Sequence, residues 1–274
     1  MPSTYAHYRM GQEVRNKVGD RERAVIETYP ELFLIGLHGP DILFYYKPLT
    51  ANRVNQIGYS THDRPGEEFF ANGARVLEKH KGHKAYLAYL YGFICHFALD
   101  ATCHGYIDQK IAESGISHTE IEVEFDRELM IIDGHDPVRH KLTRHIVPSD
   151  RNAEVIKDFF KGVTALQVKK SLNGMIFNNN LLISPSRIKR QFVYSILKIS
   201  GNYNEMHGLL VNYRKNPKCN DSTEKLFELY EKAEKLAVRL INEYRGFLYG
   251  KLPLNEIYRY TFGSKLPEKE EKAG

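Results

Sequence analysis

Tryptophan is absent from this chain of 274 residues, and cysteine occurs only three times, at Cys95, Cys103 and Cys219. An odd count without a C-x-x-C pair fits neither a disulfide framework nor a thiolate zinc site, which leaves reduced, structural thiols. Long apolar runs are missing too. The longest near-continuous stretch, Ala85 to Cys95, is about half of the roughly 20 residues that span a bilayer, so no transmembrane segment is predicted. The N-terminus, MPSTYAHYRMGQEVRNKVGDRERAV, lacks the apolar core of a secretory signal, and the protein is expected to stay in the cytoplasm. Neither sign of charge dominates: 39 Lys plus Arg stand against 34 Asp plus Glu, a formal +5. Those charges are scattered in mixed-sign helical patterns such as EKLFELYEKAEKLAVRL, a balance that neither demands nor excludes nucleic acid. With 42% hydrophobic residues, disorder, collagen and coiled coil are excluded, and a chain this long can bury a large core unaided.

What the chain does contain is helical periodicity, with almost no strand alternation, and this predicts an all-α protein. The clearest helix runs from Ser222 to Tyr249, where Leu226, Leu229, Tyr230, Ala233, Leu236, Ala237, Leu240, Ile241, Tyr244, Phe247 and Leu248 trace one face. Asp221 and Glu224 have capping-box spacing in front of it, and Gly250 and Pro253 stop it behind. Ser184-Pro185 is read as opening a helix that ends at Gly201, Ser149 another, and Asp136-Pro137 a short one. Further helices are expected near residues 4–17, 21–29, 65–80, 84–104 and 118–132, with Gly39-Pro40 and residues 52–62 read as loops. We expect a single-domain multi-helix bundle. Residues 1–132 would form its core and carry the site, residues 133–262 would add helices to the same domain, and residues 263–274 would be a disordered charged tail.

Histidine is the informative count. Of 12, eight lie before residue 120: His7, His38, His62, His80, His83, His96, His104 and His118. The helix AYLAYLYGFICHFALDATCHGYI is apolar nearly all round, which marks it as buried, yet it carries His96, Asp100 and His104 on one stripe. An ionised carboxylate there costs several kcal/mol unless it is paired or binds a metal, so something must compensate Asp100. In SHTEIEVEFDREL, His118 and Glu122 are again four apart, and Ser117 with Glu120 puts them in the first turns of a helix. One such pair alone is weak evidence, since about one or two arise by chance at this composition. Two pairs close together, one of them on an apolar helix, favour a metal site.

The run HFALD (His96 to Asp100), then His104, then HTEIE (His118 to Glu122) resembles the zinc-dependent phospholipase C family, whose superfamily includes the single-strand-specific zinc nucleases. Upstream, Asp41 in GLHGPDILFYY, His62 in GYSTHDRPG and His7 in TYAHYRMG stand where that family has an Asp, a His and an early His. The resemblance covers roughly residues 3–125 and implies an all-α bundle of the zinc phospholipase C type. It implies one zinc held by Asp41, His62, His96 and Asp100, a second by His104, His118 and Glu122, and a third by His7 and a bridging Asp100. Two features depart from the family. Its third zinc also uses the amine and carbonyl of an N-terminal Trp, where this chain, once Met1 is removed, would offer the imino group of Pro2. The gap from Asp100 to His104 is also shorter, which calls for the helix to bend or end near His104.

The function so implied is a zinc-dependent phosphoric-ester hydrolase, with phospholipase C-like cleavage of a phosphodiester by hydroxide generated on the metal and Asp41 as ligand and general base. The expected partner is a small phosphoester or a phospholipid headgroup. Three alternatives remain. An HD-type phosphohydrolase would use Asp63 or Asp136 of the doublets His62-Asp63 and His135-Asp136, whereas Asp63 is read here as a helix cap. A zinc nuclease or nucleotidase would need a base-stacking aromatic pocket. A non-catalytic metal-containing binding protein would keep zinc without turnover. Among the other histidines, His38 is read as a contact near the site or a loop hydrogen bond, and His80 and His83 as surface groups. His135, His140 and His145, five apart, do not share a helical face.

Overall fold

The computed structural model describes residues 4–199, 201 and 203–264. Pro2 and residues 265–274 lie outside them. Of the expected tail, Gly263 and Ser264 are described, and Ser264 Oγ donates to the carbonyl of Ala101 at 2.7 Å.

Among the described residues the architecture is all-helical, without strands. The helices are α1 (Thr4–Lys17), α2 (Asp20–Thr28), α3 (Pro30–Gly36), α4 (Arg53–His62), α5 (Gly66–Lys79), α6 (Lys84–Ser114), α7 (His118–Ile132), α8 (Asp150–Ile156), α9 (Ala165–Leu182), α10 (Arg187–Ile199), α11 (Tyr203–Met206) and α12 (Asn220–Leu248). The axis of the bundle is α6, on which every residue from Ala88 to Asp100 is buried, as its all-round apolar sequence requires. α3 and α12 pack along it. Of the face its periodicity draws on α12, Leu226, Tyr230, Ala233, Ala237, Leu240, Ile241 and Tyr244 are buried, while Leu229, Leu236, Phe247 and Leu248 are half-buried against the core.

Two glycines set how closely α3 meets α6. A Cβ on Gly92 would lie 2.1 Å from the carbonyl oxygen of Phe33, and one on Gly36 would lie 2.3 Å from that of Tyr89. The backbones therefore touch, and the 3-10 segment Gly39–Tyr45 that follows α3 is laid directly over the polar stripe of α6.

Several sequence expectations are corrected. Residues 53–62 are helical, not a loop, because Asn52 caps α4 in a reciprocal box with Asn55; the Gly39-Pro40 loop is a 3-10 turn. α6 continues unbroken through His104 to Ser114, so no helix end is needed there. Asp136-Pro137 opens no helix. Asp136 Oδ1 instead accepts from the Val138 N–H at 3.0 Å and Oδ2 from Arg139 at 2.8 Å, a local turn that competes with helix formation. α12 begins at Asn220 with Cys219 as its cap residue, not at Asp221, and α10 begins at Arg187, two residues beyond Pro185. α9 was not anticipated. At Ser149 and Ser117, by contrast, the expected caps form: each side chain accepts from the backbone N–H three residues on.

Candidate metal centre

The polar stripe of α6 sits at the centre of three groups of side chains. His7, on the second turn of α1, lies with His96 and Asp100; Asp41 and His62 lie with His96; and His118 and Glu122, on the first turns of α7, lie with His104. Asp100 connects all three. Its Oδ1 is 3.2 Å from His7 Nε2 and 3.9 Å from His104 Nε2, and its Oδ2 is 3.3 Å from His96 Nε2 and 3.7 Å from His62 Nε2. Asp41 Oδ1 is 2.9 Å from His62 Nε2. Glu122 Oε1 is 3.0 Å from His118 Nε2 and 3.4 Å from His104 Nε2. All eight residues singled out from sequence thus meet in one cluster.

Local folding explains how each arrives. Asp41 comes in on the 3-10 segment, where Gly39 has φ +48° and a Cβ would stand 2.1 Å from His96 Cδ2. His62 ends α4. His7 is placed by Asp126 of α7, whose carboxylate accepts from the backbone N–H groups of Tyr5 and Ala6 at 2.9 and 2.8 Å. It supplies the acceptors that the first turn of α1 lacks. Sequence reading missed Asp126, which in the string DREL looks like any helical acid.

The orientation of the ring nitrogens matters as much as their proximity. His62 Nδ1 is 3.0 Å from the Gly58 carbonyl and His104 Nδ1 is 3.1 Å from that of Phe262. Backbone acceptors at Nδ1 fix the tautomer that leaves Nε2 free of a proton. The Nε2 atoms of His62, His96 and His118, with Asp100 Oδ2 and Glu122 Oε2, are buried and have no hydrogen-bond partner. They stand near opposite charges but do not align on them, so they aim at common points between the groups. Buried polar atoms left in this way are expensive. Imidazole and carboxylate donors without thiolate, converging from several sides, fit divalent zinc.

The electrostatics agree at His96, Asp100 and Glu122, and run the other way at His104. Burial, with His7 and His62 nearby, outweighs Asp100 and Asp41 and pushes His96 down to about 3, so the ring is neutral and able to ligate. Burial would raise Asp100 and Glu122, but their histidine neighbours hold both below the usual carboxylate range. His104 is raised, because Asp100 and Glu122 outweigh its burial.

The remaining candidates lie elsewhere. His38 is buried and its Nε2 is 2.7 Å from His145 Nε2; burial lowers His38, and takes His145 down to about 4. His83 caps α6 by accepting from the Ala85 N–H, and His80 pairs with Asp158 at 2.8 Å. His135 and His140 stack on each other beside Tyr5. Asp63 is the C-cap residue of α4 and Asp136 binds Arg139; neither carboxylate of the HD doublets enters the three groups. Cys95 and Cys103 are buried with thiols pushed up by burial, as core packing requires.

Two expectations follow from this geometry. Gly39→Ala puts a methyl into the His96 ring at a left-handed φ, a combination of overpacking and backbone strain on the order of 2–5 kcal/mol. Inductively coupled plasma analysis and a melting curve should show a lower Tm and the loss of at least one metal; unchanged metal would mean that His96 is not held by this contact. The second concerns the metal-free protein. His38, His96 and His145 have folded values below the ordinary 6.5. The unfolded chain therefore binds protons at pH 4–6.5 that the folded chain refuses, and stability falls as pH falls through that window, by up to about 1.4 kcal/mol per unit for each ring. His104, being raised, opposes with a single group. The Tm of chelator-treated protein should drop steadily from pH 7 to pH 5; a flat or rising curve would contradict the assignment of neutral buried rings.

The cluster is open on one side. A cavity of about 1380 Å³ has Asp41 and His118 on its wall and is otherwise lined largely by apolar and aromatic groups, among them Phe44, Tyr59, Val123, Met130 and Phe177. No helix among the described residues is long and apolar enough to cross a membrane. No curated protein matches the chain, and no solved structure does. The family model for zinc-dependent phospholipase C matches residues 6–174, a span that contains all eight clustered side chains and more than half of the sequence. The chain belongs to the zinc-dependent phospholipase C family.

Proposed function

We propose that the protein hydrolyses a phosphodiester of a phospholipid, using two zinc ions and a third subsite. The observation that carries this reading is Asp100, whose two oxygens face different histidines in three groups beside an apolar cavity. Asp41, His62 and His96 would hold one ion, with Asp100 Oδ2, 3.3 Å from His96 Nε2 and 3.7 Å from His62 Nε2, as a fourth donor. His104, His118 and Glu122 make a three-ligand set, and His118, the most exposed of the cluster, leaves that set accessible from the cavity. A nitrogen lone pair serves one ion, so with His96 used in the first set the third subsite has His7 and Asp100 Oδ1.

Zinc, when bound, supplies Lewis acidity toward the phosphoryl oxygens and makes water acidic near neutral pH. The chain's own residues do the rest. The carboxylate of Asp41, on the cavity wall, accepts a proton from the attacking water and orients it in line with the leaving oxygen. The Gly58 and Phe262 carbonyls hold His62 and His104 in register. The apolar cavity wall takes the hydrophobic part of the substrate and excludes bulk water, which strengthens every charge interaction within. This cavity is also what favours a lipid over a nucleic acid: its lining is predominantly apolar, with Leu181, Leu182, Ile183, Val193 and Leu209 among its walls.

The test is a substrate panel on metal-loaded protein: phosphatidylcholine, phosphatidylethanolamine, a phosphomonoester and single-stranded DNA. Release of phosphorylated headgroup with little turnover of the others is expected. Preferential hydrolysis of DNA would move the protein to the nuclease branch, and zinc without turnover of any substrate would make it a binding protein.

A further inference from the structure

The helix α10 lies beyond the span matched by the family and is built unlike the rest of the molecule. Its inner face, Val193 and Leu197, packs on Leu210 in a small cluster separate from the main core. The opposite face is apolar too. Ile188, Phe192 and Ile199 are 84%, 63% and 87% exposed, and Ile196 joins them. At about 100° per residue these four fall within an arc of about 80°. Lys189 borders that arc on one side, and Lys198 and Arg187 lie about 80° and 100° beyond its other edge, past Gln191 and Ser195. Ile196 also lines the cavity at the metal cluster, with exposed Phe177 and Leu49 nearby on the same wall. The stripe and the mouth of the cavity thus form one apolar surface.

Charge distinguishes the region further. Residues 159–220 contain ten Lys and Arg (Lys161, Lys169, Lys170, Arg187, Lys189, Arg190, Lys198, Arg214, Lys215 and Lys218) and one acid, Glu205, a net +9. The whole chain carries +5, so the remainder is net −4. An exposed apolar stripe with cations on both sides, in a strongly basic part of the chain, is the composition of a helix that lies in the interface of an anionic bilayer.

We propose that α10 docks the protein on an anionic lipid surface, inserting Ile188, Phe192, Ile196 and Ile199 among the headgroups and turning the cavity mouth toward the membrane. This deepens the phospholipid reading above and rests on it for its purpose, though lipid binding itself can be measured without turnover.

The test uses zinc-loaded full-length protein with vesicles of phosphatidylcholine alone and of phosphatidylcholine with about one third phosphatidylglycerol. Cosedimentation should be strong on the anionic vesicles, weak on the neutral ones, and reduced by salt. Phe192→Glu and Ile188→Glu change exposed side chains, so zinc content and circular dichroism should stay as in the parent. Affinity for anionic vesicles should fall at least about tenfold, while hydrolysis of a monomeric short-chain phosphatidylcholine is retained. Equal binding by parent and variants, or none to either vesicle, would overturn the proposal. So would a parent dimer in ultracentrifugation that Phe192→Glu turns into a monomer, since the stripe would then cover a second copy. Vesicle binding that Phe192→Glu abolishes, without hydrolysis of any phosphoester, would keep the docking surface and overturn only the hydrolase reading.

Discussion

Asp100→Asn should strip the protein of most of its zinc and lower its phosphoesterase activity at least about 10²-fold. Loss of an outer partner of a metal ligand already costs 10- to 100-fold in comparable sites, and among the described residues Asp100 is the one side chain that faces His7, His62, His96 and His104 together. Asparagine keeps the shape but is neutral, has one oxygen instead of two, and turns an amide toward rings whose lone pairs need a cation. The substitution therefore affects three subsites at once, while Asp41, Glu122 and the histidines are still present. Elemental analysis before and after a zinc soak, with turnover of the same samples, reads the effect. Asp63→Asn, at the exposed end of α4, should leave the metal content unchanged. If Asp63→Asn removes metal and Asp100→Asn does not, the HD assignment is correct and the one argued here is wrong.

Asp41→Asn separates chemistry from metal binding. The ions held by His96, Asp100, His104, His118 and Glu122 should largely remain, because only one donor of the four-ligand set is altered. The proton acceptor is lost. General-base catalysis typically contributes 10²- to 10⁴-fold, so kcat should fall by at least about 10²-fold with at least one metal per chain retained and the helical circular dichroism unchanged. A smaller loss would remove Asp41 from the reaction and leave the adjoining Gly39–Tyr45 turn a purely structural role. Loss of all metal would show instead that Asp41 acts as an essential ligand.

The bundle's centre was legible because α6 obeys one rule without exception: a helix apolar on all sides must be buried. Three polar residues at steps of four in such a helix had to be paired or bind a metal. Periodicity also drew the inner face of α12, a little too wide, since Leu229, Leu236, Phe247 and Leu248 are only half-buried. Where reading failed, local chemistry was the reason. Residues 52–62 look like a loop by composition, yet the Asn52–Asn55 box satisfies the helix N-terminus, and His62 is delivered by that helix. Asp136 was mistaken for a helix start because an acid before proline serves equally well in a turn. The positions of Asp41, His62 and His7 came from family order alone; no spacing rule could have brought residues from α1, α4 and the 3-10 segment onto one stripe. The cavity wall was invisible for a related reason, since it is assembled from α9, α10 and the segment at 44–50, far apart in sequence. α10 itself reads as an ordinary amphipathic helix until its second apolar face is seen to be exposed.

The central claim is that the three groups around Asp100 hold zinc, and the most direct measurement is the metal content of wild-type protein purified without chelator. Inductively coupled plasma mass spectrometry should find at least two zinc ions per chain, resistant to gel filtration and removed by a strong chelator. Fewer than one transition-metal ion per chain, not restored by added zinc, would contradict it: the buried nitrogens and carboxylate oxygens would then have to be paired by protons alone.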